Sequence, residues 1–586
     1  MSDYEVRNIR TDVLIVGGGL GGLAAAIQAR ESGAEVVVLE KGHAARSGLA
    51  GSGIDHIQAY VPEFHQRIGY TETDLADDQY AAGGPGGLNR RDLAELYAFN
   101  SAREIRRLEE YGLRFRYDDH DPNQPEGFRL VPQFHSVPTS YHFDGRDIKR
   151  VLSDKALALG VRIFNRAHAR ELIARDGVVY GAVAVGVRER EILAVTAKTT
   201  ILATSGYAAR LTDGGAAGGS FETFGAPTAS VGAGKVLAAK AGARVVNLEF
   251  FNLAPPGAAF LNFSFSAGAP RGTWWPAGRV VDADGTVIAE RFHDLSVDEP
   301  DYKAKYKEKL AAAQAQGQKT GRLLAEGRSL YFDVREGTEA ELERIWWALG
   351  NEGKCGVIKV NLQNNGGNLR DLRIPLRRNQ RGGAPVLSGV WVRENTLETS
   401  VRNLYASGNE PAGLGNFIPV AGAAVVFGFL SGAQAAARAA ELAAPPDFSA
   451  AFVAKVESRL AALLAGEDGD SWRDAESALQ ALLANTLGKQ YSEQSVRQAQ
   501  ELLDQLRRSL RLRAPGPHEV SRALEVDDLY DLAELTLTAV RERKSTLGPF
   551  TRLDESLWPP EIFGESVAVW YEDGAIRTGR LQNAKS

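Results

Sequence analysis

The sequence predicts an α/β protein with a parallel sheet close to its N-terminus, and three observations predict it. The apolar run Thr11–Val16 has the length and the β-branched composition of a buried strand. A glycine-rich turn follows it and leads into an alanine-rich stretch of the kind that forms helices. A second apolar run then ends in the acid Glu40. Strand, helix and strand in this order predict a βαβ unit.

The turn between the two predicted strands carries a dinucleotide-binding motif. Gly17, Gly19 and Gly22 form the pattern Gly-x-Gly-x-x-Gly directly after the first strand. The first glycine makes a tight turn, the second lets the backbone approach a pyrophosphate, and the third lets helix and strand pack closely. The helix N-terminus supplies N–H groups and a partial positive charge for the phosphates. A Rossmann-like unit is therefore expected, against the alternative of a glycine-rich turn that holds no ligand.

Glu40 indicates which dinucleotide this unit would take. It lies 23 residues after Gly17, at the end of the second predicted strand. There its carboxylate can accept hydrogen bonds from the two hydroxyl groups of a ribose. An acid at this place favours an unphosphorylated ribose, and so FAD or NAD rather than NADP.

Composition and charge narrow the class of protein. The 586 residues hold more than one domain, at roughly 150 residues per domain. The net charge of -6, with no block of like charge, predicts no nucleic acid partner. One cysteine, Cys355, excludes an iron–sulfur cluster or cysteine-ligated metal within the chain, and we expect no metal site. The longest apolar stretch, Val420–Leu430, is shorter than the ~20 residues of a membrane span, so we expect a cytoplasmic protein without one.

Five further segments carry glycine-rich or apolar motifs in a fixed order along the chain. They are Arg46–Gly53, Ile201–Tyr207, Val231–Phe251, Thr399–Gly413 and Ala423–Ala436. In this order they resemble segments of the flavoprotein subunits of fumarate reductase and succinate dehydrogenase, and most closely of the α subunit of adenylylsulfate reductase. In that family such segments wrap the flavin, close the nucleotide fold, contact the pyrophosphate and aim a helix at the isoalloxazine ring.

The resemblance implies bound FAD, with a helix N-terminus at Gly422 and Ala423 stabilising negative charge on the reduced flavin. Succinate dehydrogenases have a histidine after Arg-Ser that bonds covalently to FAD; Gly48 occupies that place here, so we expect non-covalent FAD. At Asn409 the family usually has an acid. The motif and the resemblance together assign cofactor contacts to Gly17, Gly19, Gly22, Glu40, Lys41, Arg46, Ser47, Gly48, Ala203, Thr204, Gly206, Gly408, Asn409, Gly422 and Ala423.

The residues with which this superfamily binds its known substrates are missing from the matching positions. Dicarboxylate enzymes use histidines and arginines, and adenylylsulfate reductases use an asparagine and an arginine. Because carboxylates and a nucleotide sulfate need paired cations or donors, the resemblance implies neither substrate here. The corresponding positions hold Ala254, Gln318, Lys319, Ala384, Pro385, Val386, Gly415, Gln58 and Pro256.

Three residues are candidates for substrate chemistry. Arg271 lies in an aromatic-rich insert, Pro255–Pro276, which is either a hydrophobic domain core or an apolar pocket with Arg271 as an anion anchor. His56 follows the first flavin segment, and His142 lies in the same predicted domain. Either histidine could be an acid–base group, because histidine titrates near neutrality, or it could be structural.

The predicted organisation has three parts. Residues 1–254 and 385–441 form a discontinuous Rossmann-like FAD-binding domain, and residues 255–384 form an inserted α+β capping domain. Residues 442–586 form a C-terminal helical domain, since leucines there recur at helical spacing.

The expected function is that of an FAD-dependent oxidoreductase that transfers a hydride between flavin and a small organic or sulfur-containing substrate. One alternative is a flavin electron-transfer subunit with an iron–sulfur partner, and another is a flavin oxidase. A ferredoxin-like partner is implied by the resemblance alone.

Overall fold

The computed structural model describes most of the chain. The described residues are 4–81, 87–117, 127–132, 136–206, 208, 210–211, 228–250, 259–261, 278–291, 295–351, 363–364, 366–371, 374–378, 387–414, 420–465, 469–486, 490–547, 551–557 and 564–583. The helices are α1 Leu20–Glu31, α2 Pro62–His65, α3 Glu72–Ala81, α4 Arg91–Glu110, α5 Ile148–Ala158, α6 Ala233–Lys240, α7 Tyr302–Ala325, α8 Glu339–Asn351, α9 Val420–Glu441, α10 Ser449–Ala465, α11 Trp472–Thr486, α12 Glu493–Ser509 and α13 Pro517–Glu542.

The strands are mostly short. They are β1 Glu5–Val16, β2 Val36–Glu40, β3 Ile54–Gln58, β4 Leu130–Pro132, β5 Pro138–Gly145, β6 Arg162–Asn165, β7 Ala167–Arg175, β8 Val178–Gly186, β9 Glu191–Leu202, β10 Val245–Val246, β11 Ala259–Leu261, β12 Arg279–Asp282, β13 Val287–Ala289, β14 Leu330–Asp333, β15 Ile374–Arg378, β16 Gly389–Val390, β17 Leu404–Ala406, β18 Gln490–Tyr491, β19 Thr551–Arg552, β20 Glu565–Glu572 and β21 Ala575–Gln582.

The main sheet has the predicted parallel centre. Its strand order is β6-β2-β1-β9-β8-β7, and β17 also pairs with β9. Strand β1 pairs in parallel with β2 on one side and with β9 on the other, and its residues Val13–Val16 are buried. Because parallel strands all end at one edge, the residues that follow β1, β2, β9 and β17 gather there, which is where open α/β sheets bind their ligands.

Smaller sheets surround this one. Strands β3, β5 and β4 form a three-stranded sheet, and β11, β15, β14, β12 and β13 form the sheet of the predicted capping region. The hairpin β20–β21 pairs through β20 with β10, which also pairs with β16. The chain therefore returns to the centre of the molecule after the predicted helical domain, and the expectation of a wholly helical C-terminal part omitted this hairpin. The division into three domains stays a prediction.

Helix α9 is a core helix that packs against α1 through small residues. A Cβ atom added at Gly428 would overlap Ala24 and the Gly21 carbonyl oxygen, so only glycine lets the two helices approach this closely. The helical segment 421–441 is long and apolar enough to cross a membrane by length and composition. However, 67% of its apolar 18-residue stretch is buried inside the protein. That burial is typical of a core helix.

Buried ion pairs fix helix α13 to the main sheet and its loops. Glu525 pairs with Lys41 at 2.9 Å and with Arg210 at 2.5 Å. One turn later, Asp528 pairs with Arg170 at 2.6 Å, and His168 lies 3.1 Å from the same carboxylate. Because a buried charge without a partner is strongly destabilising, these contacts fix the orientation of α13.

A second buried pair fixes the segment that follows α13. Arg543 lies 2.8 Å from Glu249, in the short 3-10 turn Leu248–Phe250, and its guanidinium also donates to the Glu565 carbonyl. Both charged side chains are almost completely buried. The C-terminal segment is thereby joined to the loop that leads into the predicted capping region.

We predict that Glu525→Gln lowers stability at neutral pH and makes the remaining stability less dependent on pH. Burial raises the pKa of Glu525, but Lys41 and Arg210 outweigh it and lower the pKa to about 2. A carboxylate whose pKa is lower in the folded than in the unfolded state stabilises the fold at pH values above its unfolded pKa of 4.5. This contribution is lost as the pH falls towards 2. The lost free energy of unfolding at pH 7 is about 3 kcal/mol, at ~1.4 kcal/mol per pKa unit.

Denaturant unfolding at pH 7 and pH 3 measures this. The variant is expected to lose stability at pH 7 and to show a smaller fall between the two pH values than the wild type. Glu501→Gln, at an exposed position on α12, serves as the control. Equal pH dependence in all three proteins would contradict the assignment.

Candidate cofactor and active site

The glycine turn after β1 has the geometry that its motif predicts. Gly17 has a φ of +106°, which favours glycine, and a Cβ at Gly22 would overlap the Gly17 carbonyl oxygen. Helix α1 therefore begins directly behind the strand, with Gly19 as its N-cap. Among the described residues, a Cβ at Gly19 would come within 4 Å of the Ala203 carbonyl oxygen alone, at 3.9 Å. The described part of the chain thus leaves room beside Gly19 at the helix N-terminus, where a pyrophosphate could approach the backbone.

Glu40 organises the loop beside this turn. Its carboxylate accepts hydrogen bonds from the backbone N–H of Gly18 and Gly42, both at 2.6 Å, and from the Ser47 hydroxyl at 2.9 Å. Gly48 has a φ of +82° and lies 3.8 Å from Gly19 when a Cβ is built on it. The loop that contains Ser47 and Gly48 therefore lies next to the glycine turn. A histidine at position 48 would need a left-handed backbone that side chains rarely adopt.

The end of β9 lies directly against the glycine turn. A Cβ at Gly17 would overlap the Ala203 carbonyl oxygen, so these two predicted cofactor residues are in contact. Thr204 donates both its N–H and its hydroxyl to Glu410, at 2.9 and 2.7 Å. Burial raises the pKa of Glu410, against the Thr204 hydrogen bonds and Lys235, which lower it.

Lys235 completes this second turn. It is buried on α6 and donates to the carbonyl oxygen of Gly206 at 2.5 Å. Burial lowers the pKa of Lys235 to about 8, although Glu410 acts in the opposite direction. Sequence reasoning assigned neither Glu410 nor Lys235, because their roles depend on contacts between distant segments. The acid expected at Asn409 is present one residue later.

The remaining predicted cofactor residues fall at the same edge of the sheet, with two differences. Gly408 lies against Gly21 of α1, and the amide oxygen of buried Asn409 has no hydrogen-bond partner among the described residues. Gly422 and Ala423 lie in the first turn of α9. Arg46 is exposed, and Lys41 directs its ammonium group to Glu525 and to the Ala229 carbonyl.

This arrangement fits a dinucleotide with a flavin. Gly19 would leave room for phosphates, Glu40 stands at the position from which the motif predicts a ribose contact, and Asn409 presents a buried acceptor that has no partner among the described residues. The N-terminus of α9 would supply a partial positive charge for a reduced ring. Among the described residues, no group of three or more histidine, cysteine, aspartate or glutamate side chains could hold a metal ion.

The structure brings the two candidate histidines together. His56 on β3 is directly opposite His142 on β5 in the antiparallel register, with ring centroids 6.3 Å apart. His142 is buried and His56 is half-buried. The third candidate, Arg271, lies outside the described residues. Neighbouring strands thus present two imidazole rings at one place.

Aromatic and cationic side chains surround this pair. Trp347 on α8 of the predicted capping region lies 6.0 Å from the His142 ring, and α8 contacts both β3 and β5. The guanidinium of Arg129 lies 4.0 Å from the Tyr117 ring centre and 4.6 Å from that of Trp347. Sequence reasoning assigned none of Arg129, Tyr117 and Trp347, because the segments that carry them are far apart in the chain.

Only some of the described residues that stand in place of the superfamily's substrate-binding side chains are exposed to solvent. Gln58 is buried, and its backbone carbonyl accepts a hydrogen bond from Tyr97 at 2.6 Å. Gln318 and Lys319 lie on the exposed side of α7. The other substituted positions, 254, 256, 384–386 and 415, lie outside the described residues.

Comparison with known proteins identifies the family. The glycine turn Gly17–Gly22 and the end of β9, Ala203–Gly206, together form what we call the cradle, and its place at the sheet edge is typical of a dinucleotide-binding flavoprotein. Residues 12–337 match the family described as FAD binding domain. The chain belongs to this family, which confirms FAD as the cofactor, and it is an FAD-dependent oxidoreductase.

Relatives and solved structures agree with this family. An uncharacterized FAD-dependent oxidoreductase of Methanocaldococcus jannaschii is 22% identical over 96% of this chain and 98% of its own length. The fumarate reductase flavoprotein subunit of Haemophilus influenzae is 24% identical over 98% of this chain and 94% of its own length. Adenylylsulfate reductase from Archaeoglobus fulgidus has a TM-score of 0.76 at 20% identity, and covers 100% of this chain and 97% of its own. The predicted α/β fold and the superfamily resemblance are thus confirmed.

We predict that Gly19→Ala weakens FAD binding without destabilising the cofactor-free protein. The added Cβ fits the protein itself but occupies the space through which the pyrophosphate approaches. The FAD dissociation constant is expected to rise at least about tenfold, which corresponds to ~1.4 kcal/mol. Flavin fluorescence titration and thermal unfolding measure both quantities, with Gly186→Ala in β8 as the control. Unchanged affinity would show that the pyrophosphate lies elsewhere.

We predict that the FAD is released on denaturation. The resemblance implies that Gly48 takes the place of the histidine that bonds FAD covalently in succinate dehydrogenases, so we expect the cofactor to be held by packing and hydrogen bonds alone. Acid precipitation of the yellow protein, followed by a visible spectrum of both fractions, checks this. Yellow supernatant is expected, and colour that stays with the precipitate would overturn non-covalent binding.

Proposed function

We propose that this FAD-dependent oxidoreductase moves a hydride between the flavin and a small organic or sulfur-containing substrate that binds beneath α8. The observation that carries the proposal is the opposition of His56 and His142 on adjacent strands. When bound, FAD supplies a centre that accepts or donates a hydride. Hydride transfer at a substrate carbon or heteroatom commonly needs a proton donor or acceptor nearby, and an imidazole fills that role near neutral pH.

The route of the chain supports the same place for the reacting ring. The loop that carries Ser47 and Gly48 lies beside Gly19 and leads directly into β3, which carries His56. Helix α9 contacts β3 from the other direction. A flavin whose pyrophosphate lies at Gly19 and whose ring points towards α9 would therefore pass along β3. We propose that its ring faces the histidine pair.

The residues around the pair suit a small, partly apolar anion. Trp347 and Tyr117 form an apolar wall that would exclude water, and Arg129 lies between them as a cation. Arg129 also supplies the carbonyl oxygen that accepts the His142 N–H at 2.7 Å, which fixes the strand that carries this histidine. Helix α8 belongs to the predicted capping region, so its movement would open and close the site.

A second candidate function is an electron-transfer subunit that works with an iron–sulfur protein. The missing dicarboxylate ligands favour it, and the Haemophilus influenzae relative is itself named as a flavoprotein subunit. A ferredoxin-like partner and a cytoplasmic location belong to the proposal. A flavin oxidase is the third candidate.

Anaerobic challenge of the purified flavoprotein with a metabolite panel separates these functions. Bleaching of the flavin by one class of metabolite supports the hydride-transfer proposal. Reduction by dithionite alone, with transfer to an added ferredoxin, supports the electron-transfer subunit instead. Rapid reoxidation by oxygen without a partner supports the oxidase.

We predict that His56→Gln and His142→Gln slow substrate-dependent bleaching, one or both by about 100-fold, the lower range for loss of a general acid or base. Neither change should alter FAD content or reduction by dithionite, because other residues, Gly17, Gly19 and Gly22 among them, carry the predicted contacts with the FAD phosphates. Stopped-flow absorbance measures the rates. His518→Gln, at an exposed position on α13, is the control. Wild-type rates in both variants would rule out a proton-transfer role for the pair.

A further inference from the structure

A buried lysine contacts the phosphate turn. Lys149 lies on α5 with 2% of its surface exposed, and its ammonium group donates to the carbonyl oxygen of Gly18. The N–H of the same glycine donates to Glu40 at 2.6 Å. Two side chains of opposite charge therefore hold the two polar groups of one residue, in the centre of the dinucleotide motif.

The position of this lysine is energetically unfavourable without a partner. Burial lowers the pKa of Lys149 to about 8, and Glu40 opposes that shift. The neighbouring charged groups on α1 are engaged elsewhere, since Arg30 donates to the Leu159 carbonyl and Glu31 pairs with Arg107. Glu40 is thus the charged group that faces Lys149 within the described part of the chain. A buried ammonium group costs stability unless a partner compensates for its desolvation, and here the Gly18 carbonyl and Glu40 are those partners.

We propose that Lys149 is a positioning residue for FAD, and that it holds the Gly17–Gly19 turn in the conformation that receives the pyrophosphate. Lys149 fixes the carbonyl of Gly18 and so the peptide group between Gly18 and Gly19, while Glu40 fixes the N–H of Gly18 and so the peptide group before it. Gly19, the N-cap of α1, follows directly and presents the helix N-terminus. The positive charge also lies behind the turn, where it attracts the phosphates through the backbone.

The end of β9 shows the same design. Glu410 accepts from the N–H of Thr204, and Lys235 donates to the carbonyl of Gly206. Between them, Ser205 has a φ of +97°, which is strained for a residue with a side chain. Each turn of the cradle is therefore held by a glutamate on its N–H side and a lysine on its carbonyl side. A hydrophobic side chain could fill the space of either lysine but could not fix the carbonyl.

The test compares Lys149→Met with the wild type in cofactor-free protein. Because the variant leaves the Gly18 carbonyl without its donor and Glu40 without its facing cation, its thermal midpoint is expected to fall, and affinity is compared at a temperature where both proteins are folded. Its FAD dissociation constant should rise about 10-fold to 100-fold, the effect of losing a hydrogen bond to a charged group. Lys155→Met, on the same helix with 35% of its side chain exposed, is the matched control and should bind FAD normally.

Proton uptake gives a readout that a purely structural role would not change. Above pH 8 the cofactor-free wild type loses the Lys149 proton, and binding of the FAD phosphates restores it, so the dissociation constant rises with pH. On FAD binding the variant should take up fewer protons than the wild type, by about half a proton at pH 8 and by nearly one at pH 9.5. Lys235 titrates in the same range in both proteins, and its contribution cancels in the difference.

Equal affinity and equal proton uptake in the Lys149→Met variant would overturn the proposal. If this variant does not fold, Lys149→Gln carries the same measurement, since an amide fills much of the space and has no proton to lose. The wild type provides an independent check. A dissociation constant that stays constant between pH 8 and 9.5 contradicts the proposal without any variant.

Discussion

The close backbone contact between the glycine turn and the end of β9 is the constraint on which the rest of the structure depends. Side chains at Gly17 or Gly22 would overlap backbone atoms of Ala203 or of the turn itself. With glycine at both places, α1 starts immediately behind β1 and its N-terminus opens onto the sheet edge. Helix α9 then packs against α1 at Gly428, and the late strand β17 brings Gly408 against Gly21. Three segments that are far apart in the chain therefore meet at one cradle.

Charged side chains fix the conformation of the loops that surround this backbone contact. On the cofactor side, Glu40 and Glu410 hold N–H groups while Lys149 and Lys235 hold carbonyl groups. Carboxylates of α13 also pair with basic residues of the main sheet and its loops. Lys41 connects the two sets of contacts, because it directly follows Glu40 but points to Glu525. Helix α13 is thus coupled to the loop that is predicted to bind the ribose.

The sequence predicts well what depends on neighbouring residues and poorly what depends on register. The turn at Gly17–Gly22 follows from a local pattern, and the structure shows the backbone contacts that the pattern implies. The opposition of His56 and His142 follows from the pairing of two strands more than 80 residues apart, which no local pattern determines. Lys149 looks like an ordinary helix residue until its contact with Gly18 is seen. The hairpin β20–β21 was missed although its turn, Asp573-Gly574 with both residues at positive φ, is a local hairpin signal in the sequence.

A crystal structure of the yellow protein with bound FAD tests the account most directly. The account predicts the pyrophosphate at Gly19, the ribose at Glu40, and the flavin ring along β3, with His56, His142 and Trp347 bordering the space above it. At least one imidazole should lie within about 4 Å of the ring or of a bound substrate analogue. A ring that points away from β3, or packed side chains between the ring and both histidines, would contradict it.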